Sequence, residues 1–310
     1  MPGREHDSGA KRSSRARTRG PLVAASPPAR ATRPGRVPKV TARNALFQQW
    51  QALLTNRTKR QRTGEFLIHG VRPITLAVEH GWPLRTLLYP AGQRLSEWAR
   101  RLIDDSGVPL AEVAPELLHE LGERESDAPE LIAVGALLPD DLDRLRPGPG
   151  FLGVAFDRPG NPGNIGTLVR SADAFGAAGL IVTGHAADVY DPKSVRASTG
   201  SLFSLPVVRR PSPEDVLDWV GAQRDRGLPI RIVGTDESGS TPISGCDLTV
   251  PTLLVVGNET AGMSARWREM CDEVVRIPMG GAASSLNAAS AGTLVLYEAA
   301  RQRDFPATDR

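Results

Sequence analysis

Three segments combine residue types and spacings that could do chemistry. The first, DRPGNPGNIGTLVRSADAFGAAG at residues 157–179, sets Gly160, Gly163 and Gly166 between a strand-like and a helix-like stretch. Bare backbone N–H groups in such a turn can approach an anion, although a purely structural tight turn needs the same glycines. The spacing is GxxGxxG, not the GxGxxG of a dinucleotide-binding turn, and no GxxxxGK(S/T) phosphate loop occurs, which disfavours a nicotinamide-dependent oxidoreductase. Arg170 follows Asn164 by six residues, within the first turns of the next helix, where a guanidinium would suit phosphate; a surface ion pair is the commoner fate of an arginine. The second segment, LLVVGNETAGMS at residues 253–264, runs an apolar strand into a polar loop with Asn258 and Glu259. Parallel α/β sheets bind ligands at the carboxyl ends of their strands. A carboxylate there can equally cap the next helix. The third, VRIPMGGAASSLNAASAGTLVLYEAARQR at residues 275–303, ends a strand at Pro278 and brings Ser284 or Ser285 to the place of a helix N-cap. Ala288, Ala289, Ser290, Ala291 and Gly292 then permit another backbone to come close.

The elements that must position these segments are legible as apolar runs. FLGVAFD, GLIVTG, LPVVRR, PIRIVGTD, TLLVVGNE and EVVRIPM are mostly continuous rather than alternating, as suits parallel strands buried on both faces. Helical stretches at 165–175, 192–203, 213–226 and 286–303 separate most of them, so the expected fold class is α/β with a mainly parallel sheet. Upstream, Leu46, Phe47, Trp50, Leu53 and Leu54 predict a helix leading into a basic loop, NRTKRQRTGE. Alternating apolar and amphipathic runs to about residue 138 form a further small α/β unit. Pro, Gly and charge at 139–150 read as a linker. The expected organisation is a tail at 1–40, an N-terminal domain at 41–138, the linker at 139–150 and a C-terminal domain at 151–303.

Composition narrows the function classes. A chain of 310 residues that is 40% hydrophobic can build two cores. Cys246 and Cys271 form no CxxC and have no Cys/His cluster to complete a zinc site, so neither a disulfide framework nor a structural metal is expected. No apolar run reaches membrane-spanning length and no secretory leader is evident, so a soluble, cytoplasmic protein is expected. The formal net charge of +3 conceals an asymmetry: residues 1–43 hold eleven Lys/Arg against two acidic residues. Rich in Arg, Pro and Ser, that tail is expected to be disordered. Its cations would release counterions on meeting RNA, or serve only as a solubilising leader.

Taken together and in order, the three segments resemble the three motifs of the SpoU (TrmH-type) family of RNA 2′-O-ribose methyltransferases. NIGTLVR at 164–170 is similar to motif one, GNETAGMS at 257–264 to motif two and IPMGGAASSLNAASA at 277–291 to motif three. Placing the first motif's asparagine at Asn164 rather than Asn161 preserves its spacing to the arginine. GEFLIHGVRPI resembles the opening of a ribosomal-protein-like RNA-binding domain often fused ahead of this catalytic domain, with His69 where an acidic residue is usual. The resemblance implies a SPOUT-type fold with a deep trefoil knot and a homodimer with its site at the subunit interface. It also implies S-adenosylmethionine as methyl donor, held around Gly257, Asn258, Ile277, Met279, Ser285 and Leu286. Asn164, Arg170, Glu259, Ser285 and Asn287 are implied to surround the reacting ribose. Because arginine stays protonated in nearly all protein settings, Arg170 is better suited to clamping a phosphate and polarising the hydroxyl than to accepting its proton. The implied substrate is structured RNA, ribosomal rather than transfer RNA; a transfer-RNA methyltransferase and a non-catalytic RNA-binding assembly factor are the alternatives.

Overall fold

The computed structural model describes residues 37–122, 129–283 and 285–305. The N-terminal domain begins with β1 (Lys39–Val40), α1 (Ala45–Thr55), α2 (Arg57–Thr63) and β2 (Glu65–His69). It continues through α3 (Val71–Glu79), β3 (Leu84–Pro90), α4 (Glu97–Ser106), β4 (Leu110–Val113), α5 (Pro115–Gly122) and β5 (Ile132–Ala136). Its sheet runs β1-β4-β3-β5-β2, parallel at β1/β4 and β3/β4 and antiparallel where β5 meets β3 and β2. Period-two alternation sorts the strand side chains: Leu67, Leu88 and Val134 pack with Phe47, Trp50 and Leu53 of α1, whereas Phe66, Ile68 and Leu87 face the other way. Two sequence expectations change here. Lys39–Val40 pairs with β4, so ordered structure starts inside the segment assigned to the tail; the rest of that assignment, residues 1–36, lies outside the described residues. NRTKRQRTGE is not a loop but α2, because Asn56 caps it by accepting from the Lys59 N–H and Gly64 ends it at φ 67°.

The C-terminal domain contains β6 (Leu152–Asp157), α6 (Pro162–Ala174), β7 (Gly179–Thr183), α7 (Pro192–Ala197), β8 (Val207–Arg210) and α8 (Pro213–Asp225). After these come β9 (Arg231–Thr235), β10 (Thr241–Pro242), β11 (Thr252–Val256), α9 (Ala265–Met270), β12 (Glu273–Arg276) and α10 (Ala288–Gln302). All neighbouring pairs in the order β10-β12-β9-β11-β6-β7-β8 are parallel, as the continuous apolar runs imply. Val154, Phe156, Leu254 and Val256 face α6 and α10, while Ala155, Leu253 and Val255 face α8 and α9. Three helices open on a capping residue followed by proline at the first position: Asn161–Pro162, Asp191–Pro192 and Ser212–Pro213. For α6 this moves the start three residues earlier than the apolar spacing suggested. The helix expected over 192–203 stops at Ala197, because Thr199 and Gly200 take left-handed conformations at φ 49° and 98°. A Cβ on Gly200 would lie 2.4 Å from Leu76 Cδ1 of α3, so the break is where the N-terminal domain docks.

That docking is tight. Phe66 packs on Tyr190 at 4.8 Å between ring centroids and Trp82 meets Phe203 edge-on at 5.2 Å. Arg60 of α2, only 1% exposed, bonds Asp188 at 2.8 Å and the carbonyls of Leu53 and Leu54, with Asp191 at 3.6 Å. The stretch expected as a linker is fastened too: Leu142 and Leu145 are buried in a short 3-10 turn, and Asp140 takes the Arg209 guanidinium at 2.7 Å.

Candidate active site

The carboxyl ends of β6, β9, β11 and β12 lie side by side, so the loops that follow them share one edge of the sheet. The loop after β6 leads through Asn161, which caps α6 by accepting from the Gly163 N–H, to Asn164 one turn in. The two asparagines are thereby distinguished, since only Asn164 reaches the other motifs. Its Nδ2 donates to Glu259 Oε1 at 2.6 Å, and its Oδ1 accepts from Asn287 Nδ2 at 3.1 Å. Glu259 Oε2 also accepts from the Gly160 N–H at 3.3 Å. Asn287, not Ser285, is the N-cap of α10: its Oδ1 accepts from the Ala289 and Ser290 N–H groups. Ser284 lies outside the described residues, and Ser285 is exposed on the approach to the helix. The result is a directional chain from the positive end of α10 through two amides to an exposed carboxylate.

The loop after β11 is held by its own hydrogen bonds and by the loop after β6. Asn258 and Gly262 exchange two backbone hydrogen bonds of 3.0 Å, Asn258 Oδ1 accepts from the Thr260 and Ala261 N–H groups, and its Nδ2 donates to the Arg158 carbonyl at 2.6 Å. Gly257 must be glycine, because a Cβ would come 2.3 Å from Met263 N. Below, buried Asp157 takes the Ser264 N–H at 2.8 Å, Arg158 at 3.0 Å and the Thr183 hydroxyl at 3.2 Å, and Trp267 Nε1 donates to that hydroxyl. Sequence reading passed over Asp157, Thr183 and Trp267; only the position of Asp157 at a strand end could have signalled it.

Beside the chain opens a cleft of about 460 Å³, within the usual range for a small-molecule site. Gly257, Asn258, Ile277, Met279, Ser285 and Leu286 all line it, together with Glu259. Met279 and Leu286 stay 40% and 39% exposed, an unusual state for such side chains unless something covers them. Thr235, Asp236 and Glu237, at and just past the end of β9, form with Arg268 of α9 a further wall that sequence reading missed. Arg170 is the exception among the expected residues. It is exposed on the third turn of α6, roughly 120° round the helix from Asn164, and among the described residues makes no hydrogen bond to Asn164, Glu259 or Asn287. Close packing of α10 on α6 is as expected: a Cβ on Gly292 would lie 2.6 Å from Leu168 Cδ1.

A parallel α/β sheet whose strand-end loops build a polar chain beside a cleft with one apolar and one charged wall fits an enzyme that holds a small molecule against a second substrate. Models of two families match the chain, the SpoU L30e-like domain at residues 44–133 and the SpoU rRNA Methylase family at 152–297. A 23S rRNA (uridine(2479)-2′-O)-methyltransferase of Streptomyces viridochromogenes is 63% identical over 265 residues, covering 86% of this chain and 92% of that protein. The crystal structure of the SpoU methyltransferase AviRb from that organism, in complex with the cofactor AdoMet, superposes with a TM-score of 0.81 at 63% identity, covering 84% of this chain and 99% of that one. An AdoMet-bound rRNA methyltransferase from Sinorhizobium meliloti gives a TM-score of 0.75 at 31% identity, over 86% of this chain and 98% of that one. This chain belongs to the SpoU rRNA methylase family.

Proposed function

We propose that this chain transfers a methyl group from S-adenosylmethionine to a ribose 2′-hydroxyl of large-subunit ribosomal RNA. The observation that carries the reading is the Asn287–Asn164–Glu259 chain at the mouth of the cleft. The residues fit the cofactor: exposed Met279 and Leu286 offer apolar cover to an adenine, and Gly257 bares backbone where no side chain could stand. When bound, the cofactor supplies an already activated methyl on a sulfonium, so the protein's task is alignment and handling one proton. Glu259, fixed at both oxygens, and Asn164, fixed at both ends of its amide, can hold a ribose hydroxyl without reorganising. The match at 44–133 to the L30e-like domain, and its rigid docking, support a module that presents structured RNA to this rim.

In this reading a second copy of the chain supplies Arg170, which clamps a neighbouring phosphate and polarises the hydroxyl while the proton passes to water. Support comes from the α6–α10 face that carries Arg170: Leu294 and Tyr297 are 44% and 47% exposed there, and Tyr297 bridges Phe175 and Phe305. The reading includes the trefoil knot of the family, formed by the strand-end loops around α10, and work in the cytoplasm, where ribosomal RNA is; no helix among the described residues is long and apolar enough to cross a membrane.

The test is methylation of transcribed 23S rRNA, mapped by mass spectrometry. Arg170→Ala should abolish product while calorimetric affinity for S-adenosylmethionine stays within about twofold, since uniform binding is untouched. Mixing Arg170→Ala with Asn164→Ala chains should restore part of the activity. Near-wild-type turnover by Arg170→Ala, or methylation of transfer RNA alone, would defeat the reading.

A further inference from the structure

The wall of the cleft after β9 holds two neighbouring carboxylates in very different states. Asp236 is fully engaged: Oδ1 accepts from the Ser238 N–H at 3.0 Å and the Ser238 hydroxyl at 2.5 Å, and Oδ2 takes Arg268 Nη2 at 2.7 Å. Burial alone would raise its pKa, but the bonds from Ser238 and Arg268 outweigh burial and hold the carboxyl below the ordinary range. The same contacts occupy Arg268, whose Nη1 also reaches the Ser238 hydroxyl at 3.3 Å. Glu237 is exposed, lines the cleft and has no hydrogen bond or ion pair among the described residues.

We propose that Glu237 is a specificity residue for the cofactor's sugar, its two carboxylate oxygens accepting the 2′- and 3′-hydroxyls of the S-adenosylmethionine ribose. The assignment rests on the cofactor reading above and follows from matching groups. An ionised carboxylate is acceptor-only with two oxygens, and a cis-diol presents two adjacent donors. The adenine belongs with Ile277, Met279 and Leu286, the apolar part of the lining. The methylated sulfur belongs at the rim, where Glu259, Asn164 and Asn287 meet. The methionyl carboxylate is not drawn to the β9 wall, because Arg268, the sole cation lining the cleft among the described residues, is already held by Asp236 and a free Glu237 repels it. Two cofactor groups offer donors to Glu237, the ribose diol and the methionyl α-ammonium; the diol's paired hydroxyls match both carboxylate oxygens at once, and the deoxy ligands separate the two.

The experiment is calorimetry on the full chain with S-adenosylmethionine, S-adenosylhomocysteine and the 2′-deoxy and 3′-deoxy forms of the latter. In Glu237→Ala, both natural ligands should weaken about equally, by roughly 10- to 100-fold, the range for charge-assisted hydrogen bonds. Each deoxy ligand should bind wild type more weakly than S-adenosylhomocysteine does and lose little further in Glu237→Ala. Glu237→Gln, which keeps one acceptor, should fall between. Thermal unfolding should be unchanged in both variants, because the side chain is exposed and unpartnered. Weakening of S-adenosylmethionine alone would mean that Glu237 acts on the sulfonium charge, and the proposal would be wrong. Unchanged affinity, or deoxy penalties as large in Glu237→Ala as in wild type, would also overturn it. A wild type that binds neither natural ligand would remove the cofactor reading, and this inference with it.

Discussion

The junction between the domains and the rim of the cleft both depend on charged and amide side chains, yet they use them in opposite ways. At the junction Arg60 is sealed from water and every neighbour is an acceptor: Asp188, Asp191 and two backbone carbonyls. At the rim Glu259 and Asn287 are exposed and their bonds set orientation. A sealed charge must be fully paired, so the junction has one arrangement and tolerates no loss. An exposed chain can lose a member without unfolding, because water replaces the missing partner. Polar groups in this molecule therefore fix the mutual position of the two domains where they are buried and remain available to ligands where they are not.

The contrast can be broken by mutation. Glu259→Ala should lower methylation by at least about a hundredfold, by analogy with loss of one preorganised polar group, with unfolding free energy changed by less than about 0.5 kcal/mol. Arg60→Ala should do the reverse, costing about 3–5 kcal/mol in a denaturant titration because Asp188 is left buried and uncompensated. A stable Arg60→Ala would show that the junction is wet. Gly200→Ala, strained at φ 98° and pressed on Leu76, should cost about 1–3 kcal/mol by the same titration and leave cofactor affinity unaltered. The smallest effect sharpens the boundary of the exposed region. Burial, with neighbouring Glu273 and Asp272, pushes the Cys246 thiol up to about 11 and the Cys271 thiol up to about 12. Folding thus favours the protonated thiols, so stability is flat with pH below the ordinary thiol range and falls as pH rises through it. Iodoacetamide at pH about 8 should label neither cysteine until denaturant is added, since the thiolate is the reactive form. Labelling of native Cys271, whose sulfur lies against Gly234 of β9, would mean that the α9 side of the sheet opens to solvent.

Much of the site was legible because its parts are local. Strand ends, glycine-dependent loops and a small-residue helix are properties of short segments, and the family resemblance those segments carry implied seven residues that line the cleft. The N-terminal cap of α10 was misplaced because Ser285 and Asn287 both satisfy the local rule; the bond from Asn287 to Asn164, 123 residues earlier, is what distinguishes their roles. Arg170 was legible as a residue type but not as a direction. Helix rotation turned it away from Asn164 once Pro162 had set the true start of α6.

The sequence by itself determined the parallel sheet and the three loops, because apolar runs, caps and glycines act within a few residues of themselves. Only the tertiary structure decided that α2 is a docking helix rather than a basic loop and that the segment at 139–150 is anchored. It alone set Asp236 apart from Glu237. Each of those outcomes depends on a partner distant in the chain, Asp188 for Arg60, Arg209 for Asp140 and Arg268 for Asp236, and no local pattern specifies where a distant partner will arrive.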